Sequence, residues 1–400
     1  MRKSKVHYAW VIVLAGTLVV FLSHGLGRMA YSVILPPMRA GLGLSYTEAG
    51  LIGTANFFGY LSFTVLSGLF AFKIGARRTI FSSLLVMGAT LFLTGLSRSF
   101  RTAFLLRFAT GVANGGAYIP TMALPASWFR KEKRGLASGL LTVGTGLGLF
   151  FTGTVLPPFM DRFGEQGWRY AWFLIGGSIL LLSVPCFVLL RDRPSELGLS
   201  PYGKGGEEAS SSVSLKGLLI KKELWQLGII YFMNGLSYIV YITFYVSFLS
   251  EELKVPFVLA GRIFGLLGLF SIGSGVFWGW LSDLLGRARA FALAYISLAL
   301  SCLMPLLFPN AFAYYASSIV FGLTLSSIPA MMAAASSDAS SGTLAAFALG
   351  VATIFFGVGQ TIGPGLAGYL KDVTGSFRGI FILSSLLSLV GAKVSLRLGG

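Results

Sequence analysis

Arg28 and Arg107 each stand inside a long apolar run, Tyr8 to Ala30 and Phe104 to Pro125. If those runs cross lipid, each charge costs roughly 2.5–3.5 kcal/mol on insertion scales, so the default reading of such a residue is functional. A guanidinium offers a rigid fork of donors suited to carboxylate or phosphate. Arg28 is flanked by Gly25, Gly27 and Ala30, small residues that leave room for another helix or a ligand. Its competing role is to snorkel to the membrane surface. Arg107's competing role is to bond backbone carbonyls of neighbouring helices. His24 and Tyr31 lie four residues before and three after Arg28, hence on its face of a helix. His24 is the only histidine inside a run and either titrates near neutral pH as a proton-coupling group or packs as a neutral ring. Asn56, Asn114, Tyr118, Asn234, Tyr238, Tyr241, Tyr245 and Gln360 add neutral hydrogen-bonding groups. The stripe Tyr238, Tyr241, Tyr245 either lines a cavity or packs between helices. Every Asp and Glu falls in a loop or at a run's end, Glu48 and Asp338 included. Buried cations without buried carboxylates imply a negatively charged ligand.

The elements that must position these residues follow from composition. With 55% hydrophobic and 11% charged residues among 400, the chain has too little polar surface to coat a soluble globule. A helix needs about 20 apolar residues to cross a bilayer. Besides the two above, such runs are Gly50 to Phe72, Ile80 to Leu96, Leu136 to Met160, Trp172 to Leu190, Leu224 to Leu249, Phe257 to Leu281, Phe291 to Phe308, Ala311 to Met332, Ala345 to Leu370 and Ile380 to Leu396. The expectation is therefore an all-α integral membrane protein with twelve transmembrane helices. Barrel strands alternate over about ten residues; these runs are continuous.

The net charge of +17 sorts by side. With the N-terminus inside, 20 Lys/Arg fall on the cytoplasmic side, nine outside, and Arg28 and Arg107 within helices. This is the positive-inside signal. It places both termini in the cytoplasm and makes nucleic-acid binding unnecessary. The start MRKSKVHYAW resembles a signal-peptide n-region, but the apolar stretch after it exceeds the usual h-region, so it is read as an uncleaved first helix. Cys186 and Cys302 lie in separate apolar runs and read as small packing residues. The glycines at 139, 144, 146 and 148 and at 357, 359, 363, 365 and 368 favour close helix approach.

Residues 191–222 break the pattern with Pro, Gly, Ser and mixed charge, the composition of a flexible linker. It joins an N-terminal six-helix half, 1–190, to a C-terminal one, 223–400. The halves echo one another: Gly68 to Arg78 pairs with Gly279 to Arg289, and Asp161 with Asp372, at one offset of 211 residues. Such a parallel repeat places a binding site near the midplane between halves.

These residues resemble the major facilitator superfamily. Its loop signature G-x-L-a-D-R-x-G-R-R/K is matched by Gly279, Leu281, Asp283, Gly286, Arg287 and Arg289. Its first-half copy has Phe72 in the acidic position, with Gly68, Gly75, Arg77 and Arg78 retained. The resemblance implies a cytoplasmic conformational latch at both loops, with the N-half copy lacking its carboxylate. The helix 4 signature R-x-x-x-G appears as Arg107 and Gly111. The antiporter motif G-P-x-x-G-G is absent from TVGTGLGLFFTGTVLPP. Within the superfamily, HGLGRMAYSVILPPM, GLIGTANFFGYL and FFGVGQTIGPGLAGYLKDVTGSF resemble the YbfB/YjiJ-type permeases. Arg28 followed by Pro36 is similar to organic-anion carriers, more distantly, whereas the helix 8 arginine of monocarboxylate carriers has no counterpart in GLFSIGSG.

The expectation is a secondary transporter of a small organic anion working by alternating access. Its substrate set is Arg28, Tyr31, Arg107, Asn114, Tyr118, Asn234, Tyr238, Tyr241 and Gln360, with His24 as the proton-coupling candidate. No cofactor or metal is expected, and no catalysis. The protein is expected as a monomer in a bacterial inner membrane. Two alternatives stay open: export of amphiphilic compounds, favoured by 34 Phe, and a transporter-like sensor. No HExxH or nucleotide-binding loop supports an enzyme.

Overall fold

A computed structural model describes residues 7–203, 221–339 and 345–398, with the backbone alone at Val65, Lys131, Ala345 and Ala346. Twelve helices, each a continuous or bent rod, run in order: α1 Tyr8–Leu42, α2 Tyr46–Ile74, α3 Ala76–Gly95, α4 Phe100–Trp128, α5 Lys131–Arg162, α6 Gly167–Leu189, α7 Lys222–Glu252, α8 Phe257–Leu285, α9 Arg287–Leu307, α10 Ala311–Ala339, α11 Ala345–Thr374 and α12 Arg378–Ser395. No strand occurs among the described residues; one bridge joins Phe129 to Tyr202. By length and apolarity alone, nine of these helices qualify as membrane spans, and eleven if the bent α2 and α8 each count as one. The twelfth is α4, whose apolar run is diluted by Arg107, Asn114 and four glycine and proline residues between Gly111 and Pro120. Carrying polar groups is what keeps α4 below the threshold.

Helix ends are written locally. Ser45 and Glu48 form a reciprocal capping box at the start of α2, Ser99 caps α4 and Asn310 caps α10, each satisfying backbone donors that have no partner inside the helix. The tight α2–α3 and α8–α9 turns need Gly75 at φ 92° and Gly286 at φ 82°, a backbone region closed to most side chains. Several helices run further than the apolar runs predict. α1 continues through Pro36 and Pro37 to Leu42, with Tyr31 to Pro36 and Met38 buried and the last turn, at Ala40 and Gly41, exposed.

One stretch departs from α geometry. Phe21–Met29, which carries His24 and Arg28, is a nine-residue π-helical segment. Two side chains of α4, seven residues apart and so on one face, hold its backbone: Asn114 Nδ2 donates to the Ser23 carbonyl at 2.7 Å and Arg107 Nη1 to that of Gly27 at 2.9 Å. π turns are rare and concentrate at functional sites.

The first six and last six helices meet along α2 with α11, α5 with α8, and α1 with α7. Glycines make the seam. Cβ atoms added at Gly25 and Gly53 would stand 2.7 Å from Gly148 Cα and 3.3 Å from Pro364 Cβ, respectively; the first of these contacts lies inside the first six helices and the second across the seam. Thr54 Oγ1 donates to the Thr361 carbonyl at 2.7 Å across it. Toward the other end of the same helices the packing stops: a Cβ at Gly68, Gly135, Gly139, Gly279 or Gly350 would meet nothing within 4 Å. The two bundles thus converge at the end holding Asp372 and part at the end holding Arg77.

Polar ties reinforce the converged end. Asp372 of α11 accepts from the Tyr46 and Thr47 backbone amides at 3.0 and 2.7 Å and from the Thr47 hydroxyl at 2.6 Å. This is a carboxylate on a helix N-terminus, where the macrodipole favours it. Arg39 of α1 pairs with Glu251 of α7 at 3.0 Å, and the Tyr46 hydroxyl donates to the same carboxylate. Asp372→Asn keeps the shape but loses the charge-assisted bonds, a cost of about 1–2 kcal/mol. A cysteine placed at Thr54 is therefore expected to react roughly tenfold faster with a membrane-impermeant maleimide in the Asp372→Asn background; unchanged labelling would mean that the converged end does not depend on this tie.

Candidate functional site

Arg28 also joins the two bundles through polar side chains. It is 4% exposed. Its Nη2 donates to Gln360 Oε1 at 2.8 Å, and Gln360 in turn donates through Nε2 to the Tyr238 hydroxyl. Its guanidinium lies over the rings of Phe57 and Tyr60, 4.4 and 4.8 Å from their centroids, a cation–π setting that holds the charge without a carboxylate. Its Nε has no hydrogen-bond partner among the described residues. Of the two roles open to it in the sequence, Arg28 has the interior placement: it points into the bundle and not to the protein surface.

Rings surround this centre. His24 lies 4.6 Å from Tyr118 and Tyr118 lies 6.5 Å from Tyr60, centroid to centroid. Across the seam, Phe356 of α11 stacks on Tyr231 at 4.4 Å and on Tyr238 at 5.6 Å. His24, Tyr60, Tyr118 and Phe356 keep partial exposure, while His24 Nδ1 is buried without a partner among the described residues. Asn234 is buried one turn before Tyr238.

Arg107 is placed differently. It is 1% exposed, lies between the Tyr31 and Trp172 rings at 5.1 and 5.2 Å, and its backbone carbonyl accepts from Asn56 Nδ2 at 3.1 Å. All these partners belong to α1, α2 and α6. Gly111, one turn on, permits the approach, since a Cβ there would press on the Asn56 backbone. Tyr31 donates to the Ala49 carbonyl at 2.6 Å. The structure thus places Arg107 and Asn114 against the π segment, as its supports, with Tyr31 packed on Arg107. Arg107→Lys keeps the charge but strands the Gly27 carbonyl, worth about 1–3 kcal/mol for a buried acceptor. Lower thermal stability of the purified variant, unrelieved by any substrate, is the expected outcome; full stability would mean that Arg107 supports nothing.

Tyr241 is not brought to this cluster. It stacks on Tyr245 at 4.2 Å and Phe321 at 3.9 Å and shares a hydrogen bond with Ser317 at 2.8 Å, inside the last six helices. Phe57, Tyr60, Tyr231 and Phe356 were missed by sequence reasoning, because in a chain with 34 Phe and 15 Tyr a ring carries no positional signal.

The two loops of the signature also differ. Arg287 bonds Asp283 at 2.6 Å and Asp338 at 2.8 Å, while Arg289 and Gly279 are not drawn into this cluster. At the first loop Phe72 is 86% exposed, and the carboxylate comes instead from Asp192, which accepts from the Arg77 amide at 2.6 Å. Arg77 Nε donates to the Phe187 carbonyl at 2.7 Å; Arg78 is exposed. Asp192 belongs to the segment expected as a flexible linker. Residues 204–220 of that segment lie outside the described residues, but its beginning is docked: Tyr202 exchanges backbone hydrogen bonds with Trp128 and Arg130, both 2.9 Å, and packs on His7, Trp10 and Phe129.

Comparison with known proteins agrees with this architecture. The probable sulfoacetate transporter SauU of Cupriavidus necator is 26% identical over 95% of this chain and 91% of its own length. A putative tartrate transporter of Agrobacterium vitis is 25% identical over 90% and 84%. Among solved structures, a bacterial homologue of the human lysosomal transporter Spinster, inward-facing and unoccupied, superposes with a TM-score of 0.78 at 15% identity, covering 99% of this chain and 98% of that one. The family model described as "Uncharacterised MFS-type transporter YbfB" matches residues 20–396. With that match over nearly its whole length and the major facilitator fold of its helices, this integral membrane protein belongs to the YbfB-type family of major facilitator transporters.

Proposed function

We propose that the protein moves a small organic anion by alternating access, with Arg28 as the counter-charge. The observation that carries this reading is a buried guanidinium at the meeting of the two bundles, held by rings and one neutral amide. A buried charge without a counter-ion is costly, and an anionic substrate supplies the missing partner. The twelve described acids lie in loops or at helix ends, which argues against a cationic substrate.

In this reading residues 1–190 and 223–400 are the two rocking units. The Lys/Arg-rich end, where the bundles part, faces the cytoplasm with both termini, in a bacterial inner membrane. The conformation is then open to the inside and sealed outside by Asp372, Arg39 and Glu251. His24 is the group to carry a coupling proton, and the loops at Arg77 and Arg287 are the latches of the opposite state. The chain acts as a monomer.

The test is uptake of radiolabelled anions into liposomes holding the purified protein, with and without an inward proton gradient. Saturable uptake of at least one small carboxylate or sulfonate is expected. Absence of uptake across such a panel, with resistance to amphiphilic toxins in expressing cells, would replace this reading with export of amphiphiles.

A further inference from the structure

Resting on the anion reading above, we propose that this site is built for a substrate with a single negative charge attached to a flat apolar body, rather than for a dianion. The argument is a count of what each side of the seam offers. On the α1 side one permanent cation is available: Arg28, with an Nε unpartnered among the described residues and a bond to Gln360; His24 beside it carries charge only while it holds the coupling proton. Arg107 is committed elsewhere, since it donates to Gly27 and is clasped by Tyr31 and Trp172, all within the first six helices. On the opposite side the groups reached by Arg28 are neutral. Gln360 and Tyr238 bond each other, and the neighbours beyond them are Phe356 and Tyr231.

A second carboxylate or sulfonate reaching that wall would find hydrogen-bond donors but no counter-ion, and a buried charge without one is strongly disfavoured. An uncharged body meets a better surface. The bank of Tyr231, Phe356 and Tyr238 is stacked with interplanar angles of 20° and 11°, so the rings form a parallel set, and Tyr60 and Tyr118 stand on the other side with partial exposure. Aromatic pairs favour such stacked or edge contacts. Gln360 is then a specificity-determining residue. In the state described here its carbonyl occupies the position on Arg28 that a substrate oxygen would take, and its amide reads the neutral side.

The experiment uses the purified full-length protein in detergent and measures binding of phenylacetate, acetate, succinate and tartrate by competition and by thermal shift. Phenylacetate is expected to bind at least tenfold tighter than either dianion, and tighter than acetate, which lacks the ring. Gln360→Lys places a second cation at the neutral wall and is expected to narrow or reverse the phenylacetate-to-succinate ratio. Succinate or tartrate binding the unaltered protein as tightly as phenylacetate would overturn the single-charge inference while leaving anion transport standing. Acetate equalling phenylacetate would overturn the apolar body. Binding of none of the four overturns this inference together with the anion reading.

Discussion

Arg28→Ala is expected to reduce anion uptake at least about 100-fold while leaving a protein that folds and inserts. Removing one partner of a buried charge pair costs about 3–5 kcal/mol, and each 1.4 kcal/mol is a factor of ten; the pair in question forms only when substrate is present. Without substrate, Arg28 has, among the described residues, one neutral hydrogen-bond partner and two rings, so its removal relieves an uncompensated charge. Thermal stability of substrate-free Arg28→Gln is therefore expected to equal or exceed that of the unaltered protein. Arg28→Lys keeps the charge but not the fork of donors and is expected to retain part of the uptake. Loss of stability together with uptake in Arg28→Gln would assign Arg28 to packing instead.

Gly148→Leu is expected to abolish uptake by a different route. Gly25 of the π segment and Gly148 of α5 meet backbone to backbone, and a Cβ on Gly148 would press on the Gly25 Cα and carbonyl carbon. Neither helix has a flexible side chain at this contact that gives way. Overpacking of a tight core costs about 1–3 kcal/mol, and here the strain falls on the turn that aims His24 and Arg28. Reduced thermal stability and loss of anion binding are expected together, and substrate is expected to restore neither. Gly139→Leu, on the same helix where nothing lies within 4 Å, is the control and is expected to fold. Normal binding by Gly148→Leu would show that α1 and α5 separate without cost.

Much of this was legible in the sequence because lipid enforces a strict pattern. A run of about 20 apolar residues has one stable backbone solution in hydrocarbon, so the helix order follows from hydropathy. Arg28 was legible for the same reason: a charge in such a run is conspicuous. Tyr241 was not. A stripe at i, i+3 and i+7 marks one face only on a helix with two kinds of surroundings, and α7 is buried almost all round from Asn234 to Ser247. Tyr238 therefore turns to Gln360 while Tyr241 and Tyr245 turn to Ser317 and the Tyr314 carbonyl. Asp192 was hidden by distance along the chain. It lies 115 residues from Arg77, and the loop signature offers no hint that its missing carboxylate arrives from the far end of α6.

The π segment also sets the two parts of α1 out of phase with each other. A regular helix turns 100° per residue and a π-helical stretch turns less, so the segment from Phe21 to Met29 offsets everything after it from everything before it. Before the segment α1 has an exposed side, with Leu14 69% exposed; within and after it Leu22, Leu26, Met29, Val33 and Leu35 are all buried. A single rod thus belongs to the rim of the molecule at one end and to its axis at the other. One residue deleted from that segment would rotate the whole upper rod, carrying every contact from Tyr31 to Arg39 out of register.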